Sequence, residues 1–375
     1  MIYISILIAV IYFVLISTFI IGFEKITLFK NKNLEPKNKF SIIIPFRNEA
    51  HNLKNLLTSL YNLNYPTNYF EVLLIDDNSS DNYLDIVHRF TRKNRLLSIR
   101  VLQKTEIINT PKKDAINLGI KNASFDWVVT TDADCIVPNN WLYIFNQQIE
   151  ESNSLFISAP VKFIKQKGLL YHFQNLNFIS LIGSTIGSFG IAKPFLCNGA
   201  NLCYNKAAFY QVKGYWGNSK IASGDDVFLL EKMKTAFPKK ISYIKSEEAI
   251  VQTNSENTLN CFLNQQIRWA SKSTAYKSLF SKFVGTIVLS INLVLITLLI
   301  TTIINPFFWK LLILIFIQKL FLDFLLIYKT ATFLKSTQSL KHYMISSILH
   351  PFFIIFIGIL SLFKNYEWKG RVFKK

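Results

Sequence analysis

Three short acidic islands are the residues most able to do chemistry in this chain: Asp76-Asp77, Asp132-Ala133-Asp134 and Asp225-Asp226. The chain is otherwise rich in base, with 42 Lys+Arg against 23 Asp+Glu, so clustered acid stands out. The first two islands directly follow apolar runs, Val72-Leu73-Leu74-Ile75 and Trp127-Val128-Val129 with two Thr. Hard divalent cations want oxygen ligands, and Mg2+ typically takes one or two carboxylates plus substrate phosphates. Asp132 and Asp134 would share a face on a continued strand. Where the chain turns at a strand end, one would hold a metal and the other a ribose or a second metal position. Asp225 and Asp226 open a helical pattern, Val227 to Phe237, that Pro238 stops. There a carboxylate would act as a general base on an attacking hydroxyl; capping at Ser223 or Gly224 with macrodipole stabilisation explains the same residues. Gln265, Arg268 and Trp269 share one face of a helix by i,i+3 and i,i+4 spacing. Arg268 would make charge-assisted bonds to a diphosphate and Trp269 would offer a platform to a sugar or acceptor. An interfacial Trp/Arg anchor is the alternative.

The elements that must position these groups are legible as alternation. Phe40–Pro45 reads as a buried strand, and Phe70–Ile75, Ile99–Gln103 and Trp127–Thr131 read as further strands. Glu49–Leu60, Asp81–Thr91, Lys112–Lys121 (with Pro111 suited to its first turn) and a segment from Trp141 read as helices. Strands alternating with helices of this length predict an α/β fold with a mostly parallel sheet. Ligands in such sheets bind beyond the carboxyl ends of the strands, and residues 45–49, Asp76-Asp77 and Asp132-Asp134 all fall there.

Residues 1–23 carry no charge and are long enough to span a bilayer as a helix. A cleaved signal peptide is disfavoured, since there is no basic start and no small-residue cleavage site. Residues 24–39 form a basic linker with Lys25, Lys30, Lys32, Lys37 and Lys39. By the positive-inside rule these place the domain expected over 40–278 in the cytoplasm and the N-terminus outside. A second apolar region, 279–363, holds three candidate spans: Phe283–Ile304, Phe307–Tyr328 and Tyr343–Phe363. The middle one contains Lys310, Gln318, Lys319 and Asp323 and is expected either to cross or to lie at the interface. If all three cross, the basic tail 364–375 lies outside, against the same rule. Segments near 163–195 and 259–278 are expected to hug the interface; a plain core segment is the alternative for the former. The net charge of +19 fits attraction to a membrane surface. No helix-turn-helix, zinc-finger or RRM pattern accompanies it, so nucleic acid is not the expected partner. Cys135, Cys197, Cys203 and Cys261 lack metal-pair spacing and are expected as buried free thiols in a reducing compartment.

The ordered set Ile42 to Glu49, Leu74 to Asp81, Lys112 to Asn117, Thr131 to Asp134, Gly224 to Asp226 and Gln265-x-x-Arg268-Trp269 resembles the membrane-bound branch of family 2 inverting glycosyltransferases. That branch includes ceramide glucosyltransferases and the cellulose, hyaluronan and poly-N-acetylglucosamine synthases. The resemblance covers about Phe40 to Trp269 and implies a GT-A fold. It also implies roles. Pro45, Arg47 and Glu49 would line the nucleotide, Asp77 would contact its uracil-ribose part, and Lys112 the diphosphate. Asp132 and Asp134 would bind Mg2+ or Mn2+ with the diphosphate. Asp226 would be the catalytic base, with Asp225 beside it. Arg268 would contact the diphosphate, and Gln265 and Trp269 the acceptor. Two departures stand out: Asp225 replaces the usual Glu of Glu-Asp, and Phe46-Arg47 stands where a Tyr often precedes Asn-Glu. The expected activity is transfer from a nucleotide sugar, UDP-linked by the resemblance, to a lipid or lipid-linked acceptor. A processive polysaccharide synthase, with a glycan acceptor, is the first alternative. A membrane-anchored, non-catalytic nucleotide-sugar-binding protein is the second.

Overall fold

The computed structural model describes residues 1–32, 34–104, 110–217 and 223–373. The last two residues of the basic tail and Asn33 of the linker lie outside them. In chain order the helices are α1 (Ile2–Lys25), α2 (Ala50–Tyr61), α3 (Tyr83–Lys93), α4 (Pro111–Asn122), α5 (Trp141–Ser152), α6 (Leu169–Gly190), α7 (Lys206–Gln211), α8 (Asp225–Ala236), α9 (Leu259–Ser271), α10 (Leu279–Ile304), α11 (Trp309–Phe333) and α12 (Tyr343–Phe363). The strands are β1 (Phe40–Phe46), β2 (Phe70–Asp76), β3 (Ile99–Gln103), β4 (Trp127–Thr130), β5 (Phe156–Ser158), β6 (Val161–Phe163), β7 (Leu202–Asn205), β8 (Ile241–Tyr243), β9 (Val251–Thr253), β10 (Tyr366–Trp368) and β11 (Arg371–Phe373). They build two compact units. One comprises Thr27–Ile164 and Leu196–Asn254; the other comprises Met1–Ile26, Lys165–Phe195 and Ser255–Lys375.

The first unit is built on a sheet of order β3-β2-β1-β4-β7-β5-β8. Strands β3, β2, β1 and β4 run parallel, and β8 is parallel to β5, while β7 is inserted antiparallel between β4 and β5. The mostly parallel α/β sheet expected from alternation is therefore present. Its central strands are continuous apolar runs because both faces are covered: Ile42 to Ile44, Val72 to Ile75, Val128 and Val129 are fully buried. Parallel pairing carries the ends of β1, β2 and β4 to one edge. There Phe46 lies opposite Asp76. The antiparallel β7 starts at the same edge, with Leu202 opposite Thr130. Helix α3 begins two residues later than its pattern predicts. Asp81 is engaged elsewhere: its Oδ2 accepts the Ala50 backbone N–H at the start of α2, at 2.7 Å. Helix α4 presses on β1 through Gly119, where a Cβ would meet Ile43 Cγ2 at 2.6 Å.

Residues 30–32 and 35–38 are strapped along α5. Asn146 Oδ1 accepts the backbone N–H groups of Lys37 (3.1 Å) and Asn38 (3.0 Å), and Asn146 Nδ2 donates to Glu35 O at 3.1 Å. Gln147 does the same for Lys32 N and Lys30 O. Both side chains are buried, so the strap satisfies polar groups that would otherwise be costly inside the fold.

The second unit contains α1, α6, α9 to α12 and the β10–β11 hairpin. Four of its segments are long and apolar enough to cross a membrane: Ile2–Lys25, Leu279–Ile304, Pro306–Phe333 and Thr337–Phe363. Of the two or three C-terminal spans expected, three meet the length and apolarity requirement. The polar residues that weakened the middle one have partners inside the unit. Lys319 Nζ pairs with Asp323 Oδ2 at 2.6 Å, Tyr12 OH donates to Asp323, and Gln318 Nε2 donates to Ala9 O at 2.8 Å. Charges at membrane depth are tolerated in that arrangement, paired and turned toward neighbouring helices. Helix α6 occupies part of the segment expected to hug the interface and, among the described residues, is not one of the four.

Replacing Asn146 with Ala should lower stability by about 2 kcal/mol, because two backbone donors and one carbonyl of the strap lose their buried partner. Chemical denaturation of the purified protein and limited proteolysis at 27–39 should report the loss together.

Candidate active site

At the sheet edge, three segments converge on one lysine. Lys112 stands in the first turn of α4, with Pro111 at the helix start. Its Nζ lies 2.7 Å from Asp132 Oδ1, just past β4, and 3.5 Å from Asp225 Oδ2, the first residue of α8. The lysine side chain is 19% exposed, Asp132 35% and Asp225 11%. Burial alone would lower the pKa of the ammonium. The carboxylates of Asp132 and Asp225 outweigh it and hold the group above the usual lysine range. A lysine at a helix N-terminus opposes the macrodipole, so a helix start that carries one needs such compensation.

Asp226 is fixed by backbone: its Oδ1 accepts Val227 N–H at 2.7 Å and its Oδ2 accepts Gly199 N–H at 3.3 Å. Gly199 was not apparent from the sequence. A Cβ there would lie 3.0 Å from Asp225 Oδ2, 3.5 Å from Lys112 Nζ and 3.6 Å from Asp226 Cβ. Its carbonyl accepts from Thr130 Oγ1 at 2.9 Å. The signal lies in topology alone: antiparallel β7 brings the loop before it to the edge where β4 ends. Asn198-Gly199-Ala200 looks like any small-residue turn until β7 is placed.

Asp134 has its own partner, accepting from Thr253 Oγ1, at the end of β9, at 3.0 Å. The neighbouring Cys135 is a free, buried thiol, and Cys203 on β7 is buried as well, whereas Cys197 is half-buried and Cys261, near the start of α9, is exposed, against the burial expected of all four. Burial first, then the nearby Asp134 and Asp132, push its pKa well up, so it stays protonated and inert. Among the described residues no group of three or more His, Cys, Asp or Glu side chains is arranged to hold a metal ion. The donor set still suits Mg2+ or Mn2+ in kind: two carboxylates from one turn, with Asp132 partly open. An ion there would need its remaining oxygens from substrate and water, which is how Mg2+ is usually held.

The next strand end divides its two carboxylates. Asp76 is committed to the loop, accepting Ser79 N–H at 2.9 Å and Tyr83 OH at 3.0 Å. Asp77 Oδ1 lies 3.5 Å from Lys104 Nζ, which also reaches Asp114 Oδ2 at 3.5 Å. Arg47 Nη1 donates to Asp77 O at 3.1 Å. Asn48 and Asn78 both take positive φ, 54° and 58°, a conformation Asn tolerates better than most residues. Asn48 also bonds Ser79 and Ser80, stitching the two loops together. Pro45, opposite Ile75, and Arg47 therefore sit beside Asp77. Glu49 is buried at the start of α2 and accepts from Asn52 Nδ2 at 2.7 Å.

Gln265, Arg268 and Trp269 belong to the other unit, on α9. Gln265 Nε2 donates to Glu256 Oε1 at 3.0 Å, and the Trp269 ring lies 6.4 Å from that of Phe178.

Residues 41–214, which hold the sheet edge up to Gly199, match the family model described as "Glycosyl transferase family 2". The chain carries a glycosyl transferase family 2 domain. It is similar to poly-beta-1,6-N-acetyl-D-glucosamine synthases from Staphylococcus epidermidis (25% identity over 250 residues, 66% of this chain and 57% of the relative) and Staphylococcus aureus (25% over 241 residues, 64% and 55%). The chain thus spans little more than half the length of these curated relatives. Among solved structures it is similar to the mannosyltransferase PcManGT from Pyrobaculum calidifontis in complex with GDP-Man and Mn2+, with a TM-score of 0.56, 14% identity and 96% of each chain covered. That likeness shows the fold of the family 2 domain, which is GT-A as expected.

Removing the lysine charge gives a signed prediction. Lys112→Met leaves Asp132 and Asp225 without their counter-charge. The variant should be less stable than the parent by about 1–3 kcal/mol at pH 8, toward the low end because Asp132 is partly solvated. Unfolding midpoints of the two proteins at that pH test the sign.

Proposed function

We propose that the chain is an inverting glycosyltransferase of the cytoplasmic membrane. In this reading it moves a sugar from a nucleotide sugar, preferentially UDP-linked, to a lipid or lipid-linked acceptor. The observation that carries the reading is the convergence of Lys112, Asp132, Asp225 and Asp226 at the sheet edge of a family 2 domain.

Asp226 is the base. Bonds from backbone N–H groups orient the carboxylate, which accepts the proton of an acceptor hydroxyl as that hydroxyl attacks the anomeric carbon. One displacement inverts that centre. Asp225 holds Lys112, and Lys112, held cationic, neutralises charge on the departing diphosphate. Asp132 and Asp134 would hold Mg2+ or Mn2+, which when bound adds Lewis-acid neutralisation of the same leaving group. Pro45, Arg47, Glu49 and Asp77 receive the nucleoside. Arg268 contacts the diphosphate, and Gln265 and Trp269 receive the acceptor. Gly199 is glycine because any side chain would enter the cluster. Orientation follows the lysines after α1: the family 2 domain faces the cytoplasm.

A second reading, processive polysaccharide synthesis on a glycan acceptor, is favoured by the names of the curated relatives. Product length separates the two: single-residue products support transfer to a lipid, and a polymer ladder supports the synthase.

Purified protein in lipid nanodiscs, offered a panel of UDP- and GDP-sugars with Mn2+, should release nucleotide from at least one. Asp226→Asn should cut that turnover by about 10²- to 10⁴-fold while leaving the fold intact. Gly199→Ala should reduce it at least tenfold. Full activity in the Asp226 variant would remove the assignment.

A further inference from the structure

The last apolar helix carries information that its hydropathy hides. Helix α6 has 22 residues, about 33 Å of helix, and its glycines mark where it comes nearest to two of its neighbours. A Cβ on Gly187 would touch Phe19 O and one on Gly190 would touch Gly22 O, both in the last turns of α1. Gly183 lies equally close to Leu326 and Thr330, in the last turns of α11. At the other end of α6, His172 and Asn175 bond Ser339, in the turn that follows α11. The helix therefore lies across the ends of the spans. Helix α9 runs beside it in the same direction: Phe173 packs on Phe262, Asn177 bonds Gln266, and Phe178 packs near Trp269.

The start, middle and exit of α12 all touch this layer. At its start, the His342 ring stacks on His172 of α6 at 4.2 Å. Eleven residues on, Phe353 packs against both Phe173 of α6 and Phe262 of α9, at 5.1 and 5.2 Å. Ile357 then joins Ile267, with Leu263, Ala270 and Leu360 around them. Past its end, β10 lies against α9 again. A 21-residue helix that crossed would carry its far end about 30 Å from the layer. Instead, Gly358 approaches Leu289, ten residues into α10, a depth of about 15 Å or half the hydrocarbon core. The face turned away from the layer is apolar and exposed throughout, through Ile345, Ile348, Leu349, Phe352, Phe356 and Ile359.

We propose that α12 does not cross the bilayer. It lies within the leaflet on the α6–α9 side, its apolar face against acyl chains, and returns the basic tail to the headgroups of that leaflet. Acyl chains are the occupant because the face continues from membrane-spanning α10 and α11. The tail residues Lys364, Lys369 and Arg371 then share a side with the lysines that follow α1, and the positive-inside rule is satisfied on both flanks of the spans. The proposal rests on the reading that α10 and α11 cross a membrane.

The test is labelling by a membrane-impermeant maleimide in sealed vesicles of both orientations, read peptide by peptide by mass spectrometry. Three single variants are compared: Asn365→Cys in the tail, Lys239→Cys in the family 2 domain and Phe307→Cys between α10 and α11, all exposed positions. The tail cysteine should label with Cys at 239 and opposite to Cys at 307. Labelling of the tail with Cys at 307 instead would show that α12 crosses and would overturn the proposal alone. Labelling of all three from one side would overturn the membrane reading and the proposal with it.

Discussion

The Lys112 ammonium, set between the carboxylates of Asp132 and Asp225, ties together three segments that are distant in sequence. Each partner needs it. Two carboxylates brought this close without a cation would repel and protonate, and a lysine at the start of α4 would face the positive end of its own helix. Together they form a preorganised polar patch in which charge can develop without the protein having to reorganise. The sheet exists, in functional terms, to make that meeting possible. Parallel β1, β2 and β4 end at one edge, Gly119 lets α4 settle onto β1, and the antiparallel β7 delivers Gly199 beneath the cluster.

The membrane-helix unit solves a related problem by different means. Its buried charges are paired within the unit, Lys319 with Asp323 and Tyr12 against the same carboxylate. Glycines at 183, 187 and 190 allow α6 to cross α1 and α11 at near backbone contact, the close approach small residues permit where packing drives association in lipid. Aromatic contacts then knit α6, α9 and α12 into one layer.

Much of this was legible in the sequence, for identifiable reasons. Runs such as Ile42-Ile43-Ile44 and Val72-Leu73-Leu74 can only be strands buried on both faces, so the parallel sheet and the carboxylates at its edge followed directly. Strand β7 was not legible: Leu202-Cys203-Tyr204-Asn205 is short and its antiparallel insertion is a tertiary choice, so Gly199 went unseen with it. The basic stretch after α1 read as a linker because nothing in a lysine-rich segment announces that its backbone N–H groups will be taken by Asn146 and Gln147. The acidic pair Asp76-Asp77 could not be apportioned without Tyr83 and Lys104, whose positions depend on the loops. In the middle hydrophobic helix, Lys319 and Asp323 were visible at i,i+4, but the neighbouring α1 that makes the pair tolerable was not.

We propose that the Lys112–Asp132–Asp225 cluster is a cation-assisted diphosphate site. Calorimetric titration of UDP into the protein in nanodiscs, with Mn2+ and then with excess EDTA, tests it most directly. Metal-dependent binding that weakens at least tenfold on chelation, and that loses this dependence in Asp132→Asn, is the predicted result. Equal UDP affinity with and without metal in both proteins would contradict it.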